Sequence, residues 1–510
     1  FVGYREHTEA VNGRSQIDLV MVVETSALDQ VVVIGYGTAK KKDLTGAISS
    51  VNVAKLQNEN PTSVQDALRA NVPGLTVGVT STAKPGGSLQ IRGTNSLNAG
   101  TSPLIVLDGV IYYGSMADIN PQDIASVDVL KDASAAAVYG AKSASGVILI
   151  NTKKGKSGKP TINFNSNLAL ATMELNQPVY QGQDFVNWRV DVENSIHSFN
   201  QKPYQFNDPR TLPSSVSTAD WLAYDNSKGD PVGVWLTRLN FQPVEQKNYL
   251  AGNTVNWYNM MFQNGLQQNY TLSVSGGSDK FNYYWSGGYL NNKGIVVGDK
   301  YSTVQSRLKL EAEVTKFLTV GVNTQFADRD ESSVPANWSL IVQNTPYGSF
   351  YNDDSTDFRY SPNDDPGAGG RNPFISTTYT NRRKKYYTLN SIIYGKVSLP
   401  FGIKYTVNFA PEFEFYNYFN GNGVKDPDFT KTGGRGERDN HQIYQWQLDN
   451  ILSWNRTFNK EHHVEVTLLA NAEKYQYWEN DMVGTGFNPS DVLSYHNMGA
   501  ALTQTFTSDD

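Results

Sequence analysis

Residue types that could support catalysis or metal binding are few in this chain. It has six histidines and no cysteine, so thiol ligands, disulfide bonds and cysteine nucleophiles are excluded. No histidines share the spacing of a metal site, and the adjacent His462 and His463 would point to opposite faces of a strand. Residues 84–87, Lys-Pro-Gly-Gly, lack the Lys-Ser/Thr ending of a phosphate-binding loop. The sequence therefore predicts no enzyme activity, no metal site and no cofactor.

Charge and hydropathy exclude further classes of protein. The net charge is -6, so the basic footprint of a nucleic-acid-binding protein is absent. No run of about 18 apolar residues exists, which excludes transmembrane helices. Residues 352–354 and 363–365 are acidic and could bind calcium, but they lack EF-hand spacing, and a solvated loop is favoured.

Few helical signals remain after about residue 160, where apolar and polar residues alternate with a period of two. Arg307, Lys309 and Glu311 share one face of a predicted strand. Leu308 and Leu310 share the other. We predict about nine such strands, near residues 161–171, 269–275, 281–289, 307–314, 318–326, 387–399, 403–412, 442–454 and 463–474.

The predicted connections are strictly of two kinds. Short turns are expected at 276–280, 315–316 and 400–402. Long polar excursions are expected at about 172–268, 328–386, 413–441 and from 475 onward. Short turns at one rim and long loops at the other are typical of bacterial outer-membrane barrels, whereas a soluble β-sandwich has shorter strands and no such asymmetry. An open strand edge is costly in lipid, so we expect closing strands outside this sequence.

Residues 1 to about 158 combine short apolar strands with two helical candidates. These are residues 66–70 and 132–139, the second opening on Asp132 as an N-cap. Residues 29–37 form a β-prone run between two predicted domains. Such a run is either an ordinary buried strand or an extended segment that adds to the sheet edge of a partner.

An ordered series of motifs gives the chain a specific resemblance. The series comprises Val31–Gly37, Lys42–Gly46, Val72–Leu75, Ile91–Gly93, Pro103–Val110, Asp123–Ser134, Val138–Gly140, Gly146–Ile150 and Thr152–Gly155. In order and spacing it resembles the SusC/RagA-like TonB-dependent transporters of Bacteroidetes outer membranes. The fold implied is mainly β: an α/β plug inside a large antiparallel transmembrane β-barrel of about 22 strands, preceded by the tail of a β-sandwich extension.

The resemblance also implies a division of the chain. Residues 1–24 would end a carboxypeptidase-regulatory-like extension, 25–43 would hold the Ton box and linker, 44–158 the plug, and 159–510 the first part of the barrel with long extracellular loops. The implied Ton box, which TonB grips, comprises Val31, Val32, Val33, Ile34, Gly35, Tyr36 and Gly37.

The implied function is active import of a large nutrient, an oligosaccharide, across the outer membrane of a Gram-negative bacterium. The implied partners are a SusD-like surface lipoprotein, TonB with ExbB and ExbD, outer-membrane lipid, and an assembly of two transporter–lid pairs. An oligopeptide importer of the same family is the closest alternative. The 1–24 segment disfavours a siderophore or cobalamin receptor, and a passive porin would lack residues 29–158.

Charged residues and glycines of the plug motifs have distinct expected roles. We predict that charged plug residues pair with lumen charges such as Arg307 and Glu311, although Arg92 could instead lie on a surface. The glycines are expected in tight turns. The plug-motif residues are Arg92, Gly93, Asp108, Gly109, Lys131, Asp132, Tyr139, Gly140 and Gly146.

Aromatic residues are abundant in the long loops, and aromatics make up 12% of the chain. Flat aromatic faces suit sugar rings, so these side chains are candidate substrate contacts. Packing within the loops or in an outer aromatic girdle is the alternative. The candidates are Trp221, Trp235, Trp257, Trp338, Tyr347 and Tyr351.

Overall fold

The computed structural model describes most of the chain. The described residues are 31–34, 37–40, 48–53, 61–93, 100–132, 136–174, 179–354, 356–365, 370–459, 462–486 and 498–509. The predicted extension at 1–24 and two residues of the predicted Ton box, Gly35 and Tyr36, lie outside them. The other Ton-box residues belong to a two-stranded antiparallel sheet of β1 (Val31–Ile34) and β2 (Gly37–Lys40).

The plug is built on a five-stranded mixed sheet in the order β3-β8-β9-β6-β7, with a separate β4–β5 hairpin. Residues 147–150, Val-Ile-Leu-Ile, are buried throughout, as expected of a strand covered on both faces. Leu68, Leu107, Ile124 and Val127 are among the residues of the core. The strands are β3 (Ile48–Val51), β4 (Leu75–Val77), β5 (Leu89–Ile91), β6 (Leu104–Leu107), β7 (Val110–Ile111), β8 (Ile124–Leu130) and β9 (Val147–Thr152).

Both helical candidates of the plug have boundaries that differ from those predicted. Helix α1 (Val64–Leu68) begins earlier than residue 66, because the Ser63 hydroxyl caps it by accepting a hydrogen bond from the Asp66 amide at 3.0 Å. The second candidate, 132–139, overlaps a 3-10 helix at Ala137–Ser143. Its predicted first turn, residues 133–135, lies outside the described residues.

The strands that the structure describes from residue 158 onward form one antiparallel sheet of ten, which we call the wall. Each strand pairs with the next in sequence order. The strands are β10 (Gly158–Ala171), β11 (Gly265–Gly277), β12 (Phe281–Lys293), β13 (Lys300–Thr315), β14 (Leu318–Asp330), β15 (Thr380–Ser398), β16 (Ile403–Asn422), β17 (Arg435–Phe458), β18 (His462–Thr485) and β19 (Thr503–Asp509).

The two faces of the wall are as the alternation predicted, with the polar face buried and the apolar face exposed. Ser286 and Arg307 are only 1% and 2% exposed, whereas Trp285 and Phe326 are 38% and 39% exposed. A soluble sandwich shows the opposite arrangement, with apolar side chains between its sheets. The wall is therefore a sheet with a polar inner face and an apolar outer face.

The predicted difference between the two rims is present, but the prediction that every connection at the second rim is long was wrong. Every connection at one rim is a short turn, between β11 and β12, β13 and β14, β15 and β16, and β17 and β18. At the other rim, residues 172–264 and 331–379 are long, yet residues 294–299 join β12 to β13 by a short connection.

Several strands are longer than predicted, so the excursions expected at 413–441 and from 475 are shorter. β16 continues to Asn422, β17 begins at Arg435, and β18 continues to Thr485. Aromatic residues stand on both faces there, which obscured the period of two. The tenth strand, β19, was not predicted because its sequence has one apolar residue, Phe506.

Helices are few after residue 160, as predicted, but most of those that the structure describes lie in the first long loop, which was expected to be a polar excursion. Its helices have cap signals: the Asp230 carboxylate accepts a hydrogen bond from the Gly233 amide at 2.9 Å, and Pro231 occupies the first turn. Among the described residues, none of the helices has the length and apolar character needed to cross a membrane. The helices are α2 (Gly182–Ile196), α3 (Thr218–Ala223), α4 (Pro231–Arg238), α5 (Pro243–Ala251), α6 (Trp257–Met261) and α7 (Ile375–Tyr379).

The β4–β5 hairpin gives a test of the packing of the plug. A Cβ added at Gly87 would lie 2.0 Å from the carbonyl oxygen of Gly78, a backbone atom that cannot rotate away. We expect Gly87→Ala to destabilise the plug by about 1–3 kcal/mol, seen as a lower urea concentration for the onset of proteolysis. Gly100→Ala is the control, because nothing lies within 4 Å of its added Cβ. Equal urea resistance of the two variants would contradict the close approach.

Candidate functional site

A tight turn of the plug presents a carboxylate to the wall. Leu107 pairs with Val110, so Asp108 and Gly109 alone connect β6 to β7. Both have positive φ, 49° and 89°, as a two-residue hairpin of type I′ requires. Aspartate tolerates this conformation better than most residues do, and glycine adopts it without cost. The turn therefore fixes the Asp108 side chain at the tip of the hairpin.

Asp108 pairs with two cations of the wall, as predicted for Arg307. Its carboxylate lies 3.3 Å from Arg307 Nη2 and 3.2 Å from Lys309 Nζ. It also accepts hydrogen bonds from the Asn323 amide at 2.6 Å and from the Thr152 backbone amide at 3.0 Å.

Burial by itself raises the pKa of Asp108, but Lys309, Arg307 and Thr152 outweigh it and lower the pKa from 3.8 to about 2. Because the pKa is depressed in the folded state, the carboxylate stabilises the folded protein above pH 3.8. This stabilisation is lost as the pH falls through about 2. The contact therefore persists throughout the neutral range.

A second ion pair joins the plug to the wall closer to the long-loop rim. Asp118, at the end of a 3-10 turn capped by Ser115, lies 2.5 Å from Arg329 Nη1, and both side chains are buried. Arg329 also lies 2.8 Å from Glu331, which Lys84 of the plug approaches at 2.6 Å. The plug segments around Asp118 and Lys84 are thus both joined to the end of β14 through charges of alternating sign.

Neutral donors surround a third buried carboxylate of the plug. Asp123 accepts hydrogen bonds from the hydroxyls of Tyr284 and Ser286, both at 2.8 Å. Burial raises the pKa of Asp123. Nearby, the Asn120 amide donates to the Thr271 hydroxyl at 3.2 Å. The plug therefore contacts β11, β12, β13 and β14 in succession through polar side chains.

The contacts continue along the wall to β18. There Glu473 lies next to Lys142, with which it forms an ion pair, and accepts a hydrogen bond from the Tyr113 hydroxyl at 2.9 Å. Asp118, Asp123, Lys142 and Glu473 were not among the predicted site residues. Asp118 and Asp123 flank the Asn120-Pro121 turn, and Asp123 begins the motif Asp123–Ser134; these were the available sequence signals.

Other plug-motif residues do not reach the wall. Arg92 forms an ion pair with Asp132 at 2.5 Å inside the plug, and its side chain is exposed, so its predicted pairing with lumen charges was wrong. Lys131 and Asp132 lie with Arg92 along a cavity of about 520 Å³. Tyr139 packs in a small apolar cluster. Gly93, Gly109, Gly140 and Gly146 all have positive φ, a conformation that suits their predicted turn role.

Four of the six candidate substrate-contacting aromatics are buried, which contradicts that role for them. Trp221, Trp235 and Trp257 are 0%, 1% and 1% exposed, and Tyr347 is also buried. Each indole nitrogen donates to a backbone carbonyl, of Tyr204 at 2.9 Å, Phe206 at 2.8 Å and Thr345 at 2.9 Å respectively. These rings are the cores of folded loops. The exposed candidates are Trp338 and Tyr351.

Comparison with known proteins agrees with this architecture. A family model described as the TonB-dependent receptor plug domain matches residues 40–147. TonB-dependent receptor P39 of Formosa agariphila is 30% identical over 98% of this chain and 44% of its own length. TonB-dependent receptor SusC of Bacteroides thetaiotaomicron is 28% identical over 64% of this chain and 28% of its own length. The chain is therefore similar to the SusC/RagA-like TonB-dependent transporters.

Solved structures share the fold. The RagAB peptide importer in its open-open state superposes with a TM-score of 0.70 at 22% identity, covering 94% of this chain and 53% of that chain. The closed-closed state gives a TM-score of 0.69 at 20% identity, covering 91% of this chain and 52% of that chain. The chain spans less than half the length of the curated relatives that it matches.

The Asp108 contacts predict how firmly the plug is held. Asp108→Asn leaves Arg307 and Lys309 without their carboxylate, which costs about 3–5 kcal/mol for a buried pair. We expect hydrogen exchange of residues 104–111 to become at least tenfold faster. Asp132→Asn is the matched control, because it alters a partly exposed pair worth about 0–1 kcal/mol. Unchanged exchange in Asp108→Asn would show that the ion pairs do not hold the plug.

Proposed function

We propose that the protein imports a large nutrient across the outer membrane by TonB-dependent active transport. The observation that carries this proposal is the plug, which contacts the wall through buried ion pairs on β13 and β14 and through an exposed ion pair on β18. Opening a path along the wall breaks these contacts. Separating a buried ion pair removes its mutual attraction, so the plug needs an input of work to move. A passive pore needs no such device.

The wall supports a location in the outer membrane. Its outward face carries large apolar side chains that are more than one-third exposed, among them Trp285, Tyr289 and Phe326. In water such a surface would be an extended apolar patch, whereas lipid covers it favourably. Short turns at one rim and longer loops at the other place the short-turn rim in the periplasm in this proposal.

The handle for TonB is the segment 31–37. The β1–β2 sheet has two strands, so each strand has one edge without a partner among the described residues. A strand of TonB can add to such an edge through backbone hydrogen bonds. TonB, with ExbB and ExbD and the inner-membrane proton gradient, then pulls on the chain just ahead of the plug. The protein performs no covalent chemistry in this mechanism.

The proposed cargo is an oligosaccharide held under a SusD-like lipoprotein lid. Two partly exposed aromatic rings on the inner face of the wall support it, Tyr386 and Tyr418, whose centroids lie 4.7 Å and 6.1 Å from that of the buried Tyr416. Flat rings of this kind suit sugar faces. An oligopeptide is the second candidate, favoured by the likeness to the RagAB peptide importer. An assembly of two transporter–lid pairs belongs to the same proposal.

Deleting residues 31–37 tests the coupling to TonB. We expect surface binding of substrate to persist and uptake to fall at least tenfold, because the handle is lost while the plug and wall are intact. A variant with seven Gly/Ser residues in place of 31–37 controls for linker length and should fail equally. Labelled glycans and peptides supplied to cells give the readout. Uptake at the normal rate in both variants would reject active import.

A further inference from the structure

A cluster of titratable side chains lies on the inner face of the wall, apart from the contacts with the plug. Asp439 and His441 are two residues apart on β17, so they share a face. Across the ladder, His441 stands opposite Glu479 of β18, and Asp439 stands opposite Asp481. The strand register therefore brings together residues far apart in sequence.

Three of these side chains converge. One ligand atom each from Asp439, His441 and Glu479 can be chosen so that all lie within 4.8 Å of one another. His441 Nδ1 is 4.0 Å from Asp439 Oδ1, and His441 Nε2 is 3.6 Å from Glu414 Oε1 on β16. The Asp439 and His441 side chains are 22% and 16% exposed. The imidazole thus lies among carboxylates in a largely covered position.

Polar atoms of the cluster lack hydrogen-bond partners among the described residues. They are Asp439 Oδ1, His441 Nδ1 and Asp481 Oδ1, all covered from solvent. Like charges directly opposite each other across a ladder are destabilising, and covered carboxylates need a compensating charge. Arg435 pairs with Glu437 at 2.6 Å. Even if His441 were protonated, it would supply one positive charge to a cluster that contains several carboxylates. The cluster therefore has excess negative charge.

Neighbouring rings fix the orientation of the imidazole. His441 stacks on Tyr416 of β16, with ring centroids 4.3 Å apart and planes at 24°. Tyr477 of β18 lies on the other flank at 5.4 Å. A ring packed in this way keeps its nitrogens directed along the inner face, towards the carboxylates. Such support preorganises a ligand for a metal ion.

We propose that Asp439, His441 and Glu479 bind a divalent transition-metal ion of the Zn²⁺ type. Imidazole together with carboxylates suits zinc and its neighbours, whereas calcium takes oxygen ligands. Ligands about 2.0–2.2 Å from a tetrahedral zinc ion lie roughly 3.4 Å apart, so a small closure of the present spacing suffices. Three protein ligands leave a coordination position facing the interior. The ion neutralises the carboxylates and stabilises the pairing of β17 with β18.

Zinc binding by the full-length protein tests the proposal independently of transport. Detergent-purified protein, carrying no histidine tag and stripped with a chelator, would be titrated with Zn²⁺ by calorimetry, with metal content measured after dialysis. We expect one ion per chain to depend on the cluster, and His441→Gln and Glu479→Gln each to weaken its binding at least tenfold.

His197→Gln is the matched control. His197 also lies beside a carboxylate, that of Glu193 at 3.4 Å. Among the described residues, however, it belongs to no group of three potential metal ligands. It should bind zinc as the wild type does. If His441→Gln fails to fold, the near-isosteric Glu479→Gln decides the result. No zinc binding by the wild type, wild-type affinity in Glu479→Gln, or binding of Ca²⁺ that His441→Gln leaves unchanged would each overturn the proposal.

Discussion

The polar interior of the wall is the constraint on which the rest of the structure depends. A sheet with an apolar outer face has its polar side chains on the inner face, and these need partners where water is excluded. The plug supplies them. Asp108 forms ion pairs with Arg307 and Lys309, and Asp118 forms one with Arg329. Other polar side chains of the plug form hydrogen bonds with β11 and with β18. The plug is therefore held mainly by charges and hydrogen bonds, with two small apolar contacts, of Ala83 and of Val110, against the wall.

This kind of attachment suits a part that moves. Opening an apolar interface would expose apolar surface to water, which is unfavourable. Charges that separate can instead be solvated by the water that enters the opening. The same reasoning explains why the apolar core of the plug is kept within its own sheet, at residues such as Leu107 and Ile150. The plug can shift against the wall while its core remains intact.

The sequence predicted those features that depend on local periodicity. The period of two placed Arg307 and Lys309 inside and Leu308 outside, and the Asp108-Gly109 pair marked a turn. What it missed depends on register and tertiary packing. Nothing in the spacing shows that Glu479 lies opposite His441, because that follows from the pairing of β17 with β18. Likewise, the Trp221 and Trp235 rings looked free for ligands because the loop that buries them was not predicted to be helical.

Opening of the plug–wall interface during each import cycle is the central claim, and a removable covalent bridge tests it most directly. The chain has no cysteine, so Asn120→Cys with Thr271→Cys would introduce the single possible bridge in this sequence, between side chains now 3.2 Å apart. The account predicts that oxidised cells bind substrate but do not import it, and that a reductant restores uptake. Import at the normal rate with the bridge shown to be formed would contradict it.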